Sequence, residues 1–159
     1  MLFVNPFLLF LKIKFEKFIC INKLINKADK MNLIRTKTIS LPRKEIYYQN
    51  ILEHVLKGKH KILPSGITDI TTNNFHAEIK KWNKWKQALG QLLAYDTCDP
   101  KDELQVYLFN QYSIKNKVIA LNTFKKYDII PFEFIEDEEK DKLFIYNLYT
   151  NKCIYKGEL

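Results

Sequence analysis

The chain has 159 residues, with 26 Lys+Arg against 18 Asp+Glu and a formal net charge of +8. A hydrophobic content of 47%, 14% of the chain being aromatic, excludes whole-chain disorder, and four Gly and five Pro exclude collagen-like and linker-like chains. Three Cys without a CxxC pair exclude a disulfide framework and a Cys-based zinc site, and such sparse Cys usage fits a reducing intracellular compartment.

Residues 2–11 (LFVNPFLLFL) are apolar and are followed by Lys12, Lys14 and Lys17. The run falls short of the roughly 20 residues that span a membrane. A secretory signal would place its charge before the apolar stretch and a small-residue cleavage site after it, and neither is present. Residues 1–30 therefore read as an N-terminal extension, with an amphipathic anchor or targeting helix as the alternative and Met31 as a second candidate start. They hold six Lys against Glu16 and Asp29, so half of the +8 belongs to them. Only Arg35 and Arg43 are Arg. The Lys-, Ile- and Asn-rich composition is what AT-rich coding produces, so where the lysines lie carries more than their number. A basic surface is compatible with a polyanionic partner without demanding one.

The domain is expected over 31–159. Residues 41–57 read as a helix, with Ser40 as N-cap, Pro42 in the first turn, an apolar stripe of Tyr48, Ile51, Leu52, Val55 and Leu56, and Gly58 as its stop. Ile62, Ile67, Ile70, Phe75 and Ile79, interleaved with Thr68, Thr71 and Thr72, suit strands, and Asn73-Asn74 suits a two-residue hairpin turn. Asn83 is expected to cap a second helix through Cys98, in which Gly90 permits close approach to the sheet. Leu104–Phe109 reads as a buried strand. Ser113 caps a third helix bearing Ile114, Val118, Leu121 and Phe124, Ile129–Ile135 is a further strand, and residues 136–142 are a charged loop before a last strand or hairpin. The fold class is α/β: an antiparallel meander followed by β-α-β, giving a mixed sheet flanked by helices.

The hairpin register makes a chemical prediction. With Asn73-Asn74 as the turn, Thr71 pairs with His76, Ile70 with Ala77, and Asp69 with Glu78. The two carboxylates then face one another roughly 4.5–5.5 Å apart, with Lys80 on the same face and Ile70, Ala77 and Ile79 on the other. Facing carboxylates repel, and a cation between them removes that cost. Lys80 meets part of the need, while hard oxygen ligands suit Mg²⁺ or Mn²⁺. On the next helix Lys84, Gln87, Gln91 and Tyr95 form a polar stripe beside an apolar stripe of Trp85, Ala88, Leu89 and Leu92.

Gly66-Ile67-Thr68-Asp69, then Glu78-Ile79-Lys80, then Ala88-Leu89-Gly90-Gln91-Leu92-Leu93-Ala94-Tyr95 resembles the PD-(D/E)XK nuclease superfamily. The resemblance is to small endonuclease-like proteins of large DNA viruses and mobile elements, and it covers about residues 43–135. No Pro precedes Asp69, which departs from the pattern. The resemblance implies a restriction-endonuclease-like fold over 31–159. It also implies a Mg²⁺ (or Mn²⁺) held by Asp69, Glu78 and the backbone carbonyl of Ile79. Lys80 would activate water or stabilise charge on phosphate, Gln91 would position water, Lys80 or phosphate, and Tyr95 would support it. Many relatives add a Glu from the first helix. Glu45, which borders the core-facing stripe, is the candidate, whereas Glu53 sits with Gln49, Asn50 and Lys57 on the expected solvent face.

The resulting expectation is a Mg²⁺-dependent DNA endonuclease, intracellular, with a homodimer as a further implied partner. A non-catalytic DNA-binding relative and an RNA-directed nuclease are the alternatives. Lys81, Lys84, Lys86 and Tyr95 are the expected nucleic-acid contacts, because positive charge concentrates around the site. Trp82 and Trp85 are read first as packing aromatics, Cys98 as a packing residue and His76 as a surface histidine. Glu138–Lys140, another ExK, is read as surface.

Overall fold

The computed structural model describes residues 43–158, so residues 1–30, Met31 and the expected Ser40–Pro42 cap lie outside the described residues. Helix α1 spans Glu45–Leu56 and follows Lys44, which is extended and offers no side-chain cap. Tyr48, Gln49 and Leu52 form its buried face. The helix closes on Lys57 in the left-handed region (φ 53°), one residue before the expected stop. Gly58 serves a different purpose there. A Cβ on it would stand 2.3 Å from Cγ2 of Ile70, so the absence of a side chain lets the chain pass against β2.

Strands β1 (Lys59–Leu63), β2 (Gly66–Thr71) and β3 (Phe75–Lys81) form the antiparallel meander. Phe75 closes the Asn73-Asn74 turn by accepting from the Thr72 N–H at 3.0 Å, and Ile70–Ala77 and Thr71–His76 pair in the expected register. A single 3₁₀ turn, Trp82–Lys84, then leads into helix α2, Trp85–Cys98. Asn83 lies inside that turn, and α2 starts after Lys84 without a side-chain cap, which corrects the expected Asn83 cap. Strand β4 (Glu103–Phe109) pairs parallel to β3. Helix α3 (Ile114–Lys126) crosses back, and β5 (Ile129–Asp137) pairs parallel to β4. Ser113 caps α3 as expected, its Oγ accepting from the Asn116 N–H. Strand β5 runs to Asp137, so the charged loop is a tight turn, and β6 (Lys142–Asn147) and β7 (Cys153–Glu158) add the hairpin.

The result is a mixed α/β fold with one seven-stranded sheet in the order β1 to β7 and three helices among the described residues. Two cores lie against the sheet. On one face α1 packs Tyr48 and Leu52 against Ile70, Ala77, Ile79, Tyr107 and Phe109. On the other, α2 and α3 bring Trp85, Ala88, Leu92, Tyr95 and Phe124 against Leu104, Val106 and Leu108. Strand β4 is buried on both faces, as its continuous apolar sequence requires. Trp82 and Trp85 are buried, in agreement with their reading as packing residues. Gly90 faces outward with nothing within 4 Å of a Cβ placed on it, so it does not mediate contact with the sheet. Cys98 is exposed, which corrects its placement in packing. No helix among the described residues is long and apolar enough to cross a membrane.

Candidate functional site

The β2–β3 pairing ends at Ile70–Ala77, so Asp69 and Glu78 are not the direct ladder pair that the hairpin register implies. Instead Oδ2 of Asp69 accepts from the Ile79 N–H at 2.8 Å. A side chain thus stands in for a ladder bond, and the two strands part at this point. The alternation of β3 then sends Ile79 into the α1-side core and Glu78 and Lys80 to the opposite side.

Four oxygens converge on Nζ of Lys80. Oε1 of Glu78 lies at 2.6 Å, Oε1 of Glu45 at 2.7 Å, the Ile79 carbonyl at 3.0 Å and Oδ2 of Asp69 at 3.4 Å. Three elements supply them: the first residue of α1, the middle of β2 and the strand β3. Glu45, preferred over Glu53 from the sequence, is therefore the helix carboxylate at the site. Exposure is graded across the cluster: the Glu78 side chain is 1% exposed, that of Lys80 8%, Asp69 17% and Glu45 38%. The cluster thus has a closed floor and an open mouth.

The electrostatics follow from burial. The Glu78 carboxyl is pushed up to about 8, first by burial and then by the Asp69 charge, against the pull of Lys80. Burial works against the charge on Lys80, but the Glu78 and Asp69 carboxylates and the hydrogen bond to Glu45 outweigh it and hold the ammonium above its ordinary range. Both Glu78 oxygens are buried, and the Lys80 ammonium, 2.6 Å from Oε1, is the cation that meets them.

Gln91 and Tyr95 come from α2. Nε2 of Gln91 donates to the Tyr95 hydroxyl at 3.2 Å, and that hydroxyl donates to the Ile67 carbonyl at 2.8 Å. The Tyr95 hydroxyl is pushed up to about 12 by burial and by Glu78, so it remains a donor. Oε1 of Gln91 is buried without a hydrogen-bond partner. Tyr95 is 1% exposed and braces β2 from beneath. Lys84 and Lys86 are exposed on the outer side of the 3₁₀ turn and α2, with Nζ of Lys86 5.6 Å from the centre of the Trp85 ring, and Lys81 is partly buried.

Three supporting residues were not anticipated. Gln49, placed in solvent from the sequence, is 6% exposed, and its Nε2 donates to the Asp69 carbonyl at 3.3 Å. Its position four residues after Glu45, hence on the same helix face, was the available signal. His60 lies 3.1 Å from the Thr68 carbonyl through Nδ1 and 2.7 Å from Nε2 of Gln49. Glu53 meets the same ring at 3.1 Å. His76 is fully buried rather than on the surface. Its Nδ1 is 2.9 Å from Oγ1 of Thr71, and its Nε2 is 2.8 Å from the Asp99 carbonyl.

The donor set matches a hard divalent cation: carboxylates and one backbone carbonyl, aimed at a position that already holds positive charge. Among the described residues no group of three or more His, Cys, Asp or Glu side chains is arranged to hold a metal ion, and the carboxylates of Glu45, Asp69 and Glu78 meet Lys80.

No family model matches the chain, and no solved structure matches it. Three proteins of Acanthamoeba polyphaga mimivirus are similar, each named as a KilA-N domain-containing protein. One is 34% identical over 110 residues, covering 66% of this chain and 30% of that protein. A second is 40% identical over 65 residues, covering 41% and 26%, and a third is 35% identical over 84 residues, covering 52% and 22%. The chain thus spans less than a third of the length of the relatives it matches. These relatives carry the name of a different family from the PD-(D/E)XK nucleases, and this overturns the superfamily assignment drawn from the motifs. The physical reason is that an Asp, an ExK and a QxxxY are few residues, and any hairpin burying an ion cluster beside a polar helix stripe selects for them.

Proposed function

We propose that the chain engages DNA and hydrolyses phosphodiester bonds at the Lys80 cluster with Mg²⁺ or Mn²⁺ held by Asp69, Glu78, the Ile79 carbonyl and Glu45. The observation that carries this reading is the convergence of four oxygens from three elements on one cationic position. A cation bound there would neutralise phosphate oxygens and lower the pKa of water. The chain's own groups divide the remaining work. Glu78, buried and raised to about 8, gives up its proton before it serves as a ligand. Lys80 supplies fixed positive charge beside an anionic phosphate, where low dielectric strengthens its effect. Gln91, whose Oε1 has no hydrogen-bond partner in the fold, would accept a hydrogen bond from a water molecule. The open mouth at Glu45 is the side from which a strand would approach. The similarity to proteins named for a KilA-N domain is compatible with a DNA partner. An intracellular setting belongs to the same proposal.

A second reading rests on the same cluster. Lys80 already supplies a cation to the carboxylates without a metal, and an ion-pair cluster of this kind suits a DNA-binding module that does no chemistry. The full chain incubated with linear, branched and single-stranded DNA, in Mg²⁺ or in EDTA, separates the two. Cleavage in Mg²⁺ that disappears in Asp69→Asn and Lys80→Ala supports hydrolysis. Binding without cleavage of any substrate leaves only the second reading. Equal cleavage by wild type and Asp69→Asn would sink the assigned site.

A further inference from the structure

A cleft of about 690 Å³ opens between the end of α1, strand β1 and the β2–β3 turn. Lys57, Lys59, Lys61 and Lys101 line it together with Asn73 and Asn74, and no Asp or Glu is among its lining residues. Lys61 and Lys101 share one counter-charge, Oδ2 of Asp99, at 2.6 and 3.4 Å. Lys57 and Lys59 have no ion-pair partner among the described residues, and both are exposed. Positive charge is therefore in excess at the cleft.

Lys59, His60 and Lys61 of β1 all line the cleft. Lys59 pairs with Thr71 but Lys61 pairs with Thr68, so the extra residue of this register shift lies in β2, between Thr68 and Thr71. The cleft is also tied to the Lys80 cluster. His60, on its wall, contacts the Thr68 carbonyl, and Thr71, also on its wall, is two residues along β2 from Asp69. His76, which anchors Thr71, lies four residues along β3 from Lys80, roughly 13 Å of strand. A nucleic-acid strand a few nucleotides long covers that span.

We infer that this cleft binds backbone phosphates of the DNA strand whose neighbouring nucleotides lie at the Lys80 cluster. The inference rests on the DNA reading above and not on catalysis. Asn73 and Asn74 supply amide donors, and Lys57 and Lys59 supply the charge that phosphate contacts require. Lysines on an edge strand also guard against edge-to-edge pairing. That role alone would make their removal cause aggregation without changing affinity for DNA.

The test is equilibrium binding of the full chain to a labelled short duplex, in EDTA, over a series of NaCl concentrations. Wild type is compared with Lys57→Gln/Lys59→Gln and with Lys125→Gln/Lys126→Gln, a pair at the end of α3 that does not line the cleft. Circular-dichroism melts and light scattering check folding and aggregation. The cleft pair is expected to lower affinity roughly tenfold or more at low salt and to reduce the slope of log K against log salt by about 2, one phosphate contact per lysine. The control pair is expected to change neither. Wild-type binding that the cleft pair leaves unchanged in affinity and slope overturns the cleft while the DNA reading stands. Absence of wild-type binding overturns both.

Discussion

Oδ2 of Asp69 takes the N–H of Ile79 at 2.8 Å, ten residues further along the chain, and the β2–β3 ladder stops there. One side chain therefore does two things. It satisfies a backbone donor on a fully buried residue, and it opens the gap in which Glu78, the Ile79 carbonyl and Lys80 face Glu45.

Substitutions at Asp69 separate these roles. Asp69→Asn keeps an acceptor for the Ile79 N–H and removes a charge. Asp69→Ala leaves that buried N–H without a partner, a penalty of about 1–3 kcal/mol. Denaturant unfolding is expected to show Ala less stable than Asn by about that amount. Equal stability of the two variants would mean that the hydrogen bond contributes nothing.

His76 provides a test outside the Lys80 cluster, its Nε2 also lying 3.3 Å from Oδ2 of Asp99. It is fully buried between Oγ1 of Thr71 and the Asp99 carbonyl, linking the end of β2 to the segment after α2. His76→Phe preserves most of the volume and strands both partners. A loss of about 1–3 kcal/mol is expected in urea unfolding, whereas a histidine on the surface would give a change within about 0.5 kcal/mol.

The legible part of the fold was the part written in local chemistry. The turn at Asn73-Asn74, the cap at Ser113 and the apolar run Leu104–Phe109 each specify an element from neighbouring residues, and all three stand as read. The convergence of Asp69, Glu78, Glu45 and Lys80 was also legible, because strand alternation and helix spacing restrict which charged residues can point inward. Their contacts were not. Whether Asp69 pairs with Glu78 or replaces a ladder bond depends on where two strands part, and no local signal encodes that. Gln49 and His76 were misplaced for a related reason. Polar residues look solvated in sequence unless the partners that satisfy them, here the carbonyls of Asp69 and Asp99, are already known. The family assignment failed at another level, since residues that recur for physical reasons do not establish descent.

The raised Glu78 carboxyl makes stability depend on pH. Its value in the fold, about 8, lies above the ordinary 4.5. The folded protein therefore holds this proton more tightly than the unfolded chain. The associated stability is fully present below about pH 4.5 and is lost as pH rises through about 8. Glu78→Gln cannot ionise, so it is expected to flatten this fall. Its unfolding free energy should exceed that of wild type at pH 9 by an amount on the order of a few kcal/mol, with the gap closing toward pH 5. Parallel melting curves across pH 5–9 would show that Glu78 is not the group responsible.

The same proton couples to metal. A carboxylate must be ionised to act as a ligand, so a cation entering the cluster displaces the proton of Glu78 and competes with the Lys80 ammonium for the same four oxygens. Below about pH 8, Mg²⁺ or Mn²⁺ uptake is expected to release close to one proton, and apparent affinity is expected to rise about tenfold per pH unit before levelling off above pH 8. Titration calorimetry in two buffers of different ionisation enthalpy reads the proton count directly. Glu78→Gln should remove both the proton release and most of the affinity. Lys80→Ala should strengthen metal binding even as any cleavage is lost, because the competing ammonium is gone while the carboxylates remain. Metal binding of equal strength at pH 6 and pH 8, with no proton released, would place the cation elsewhere on the protein.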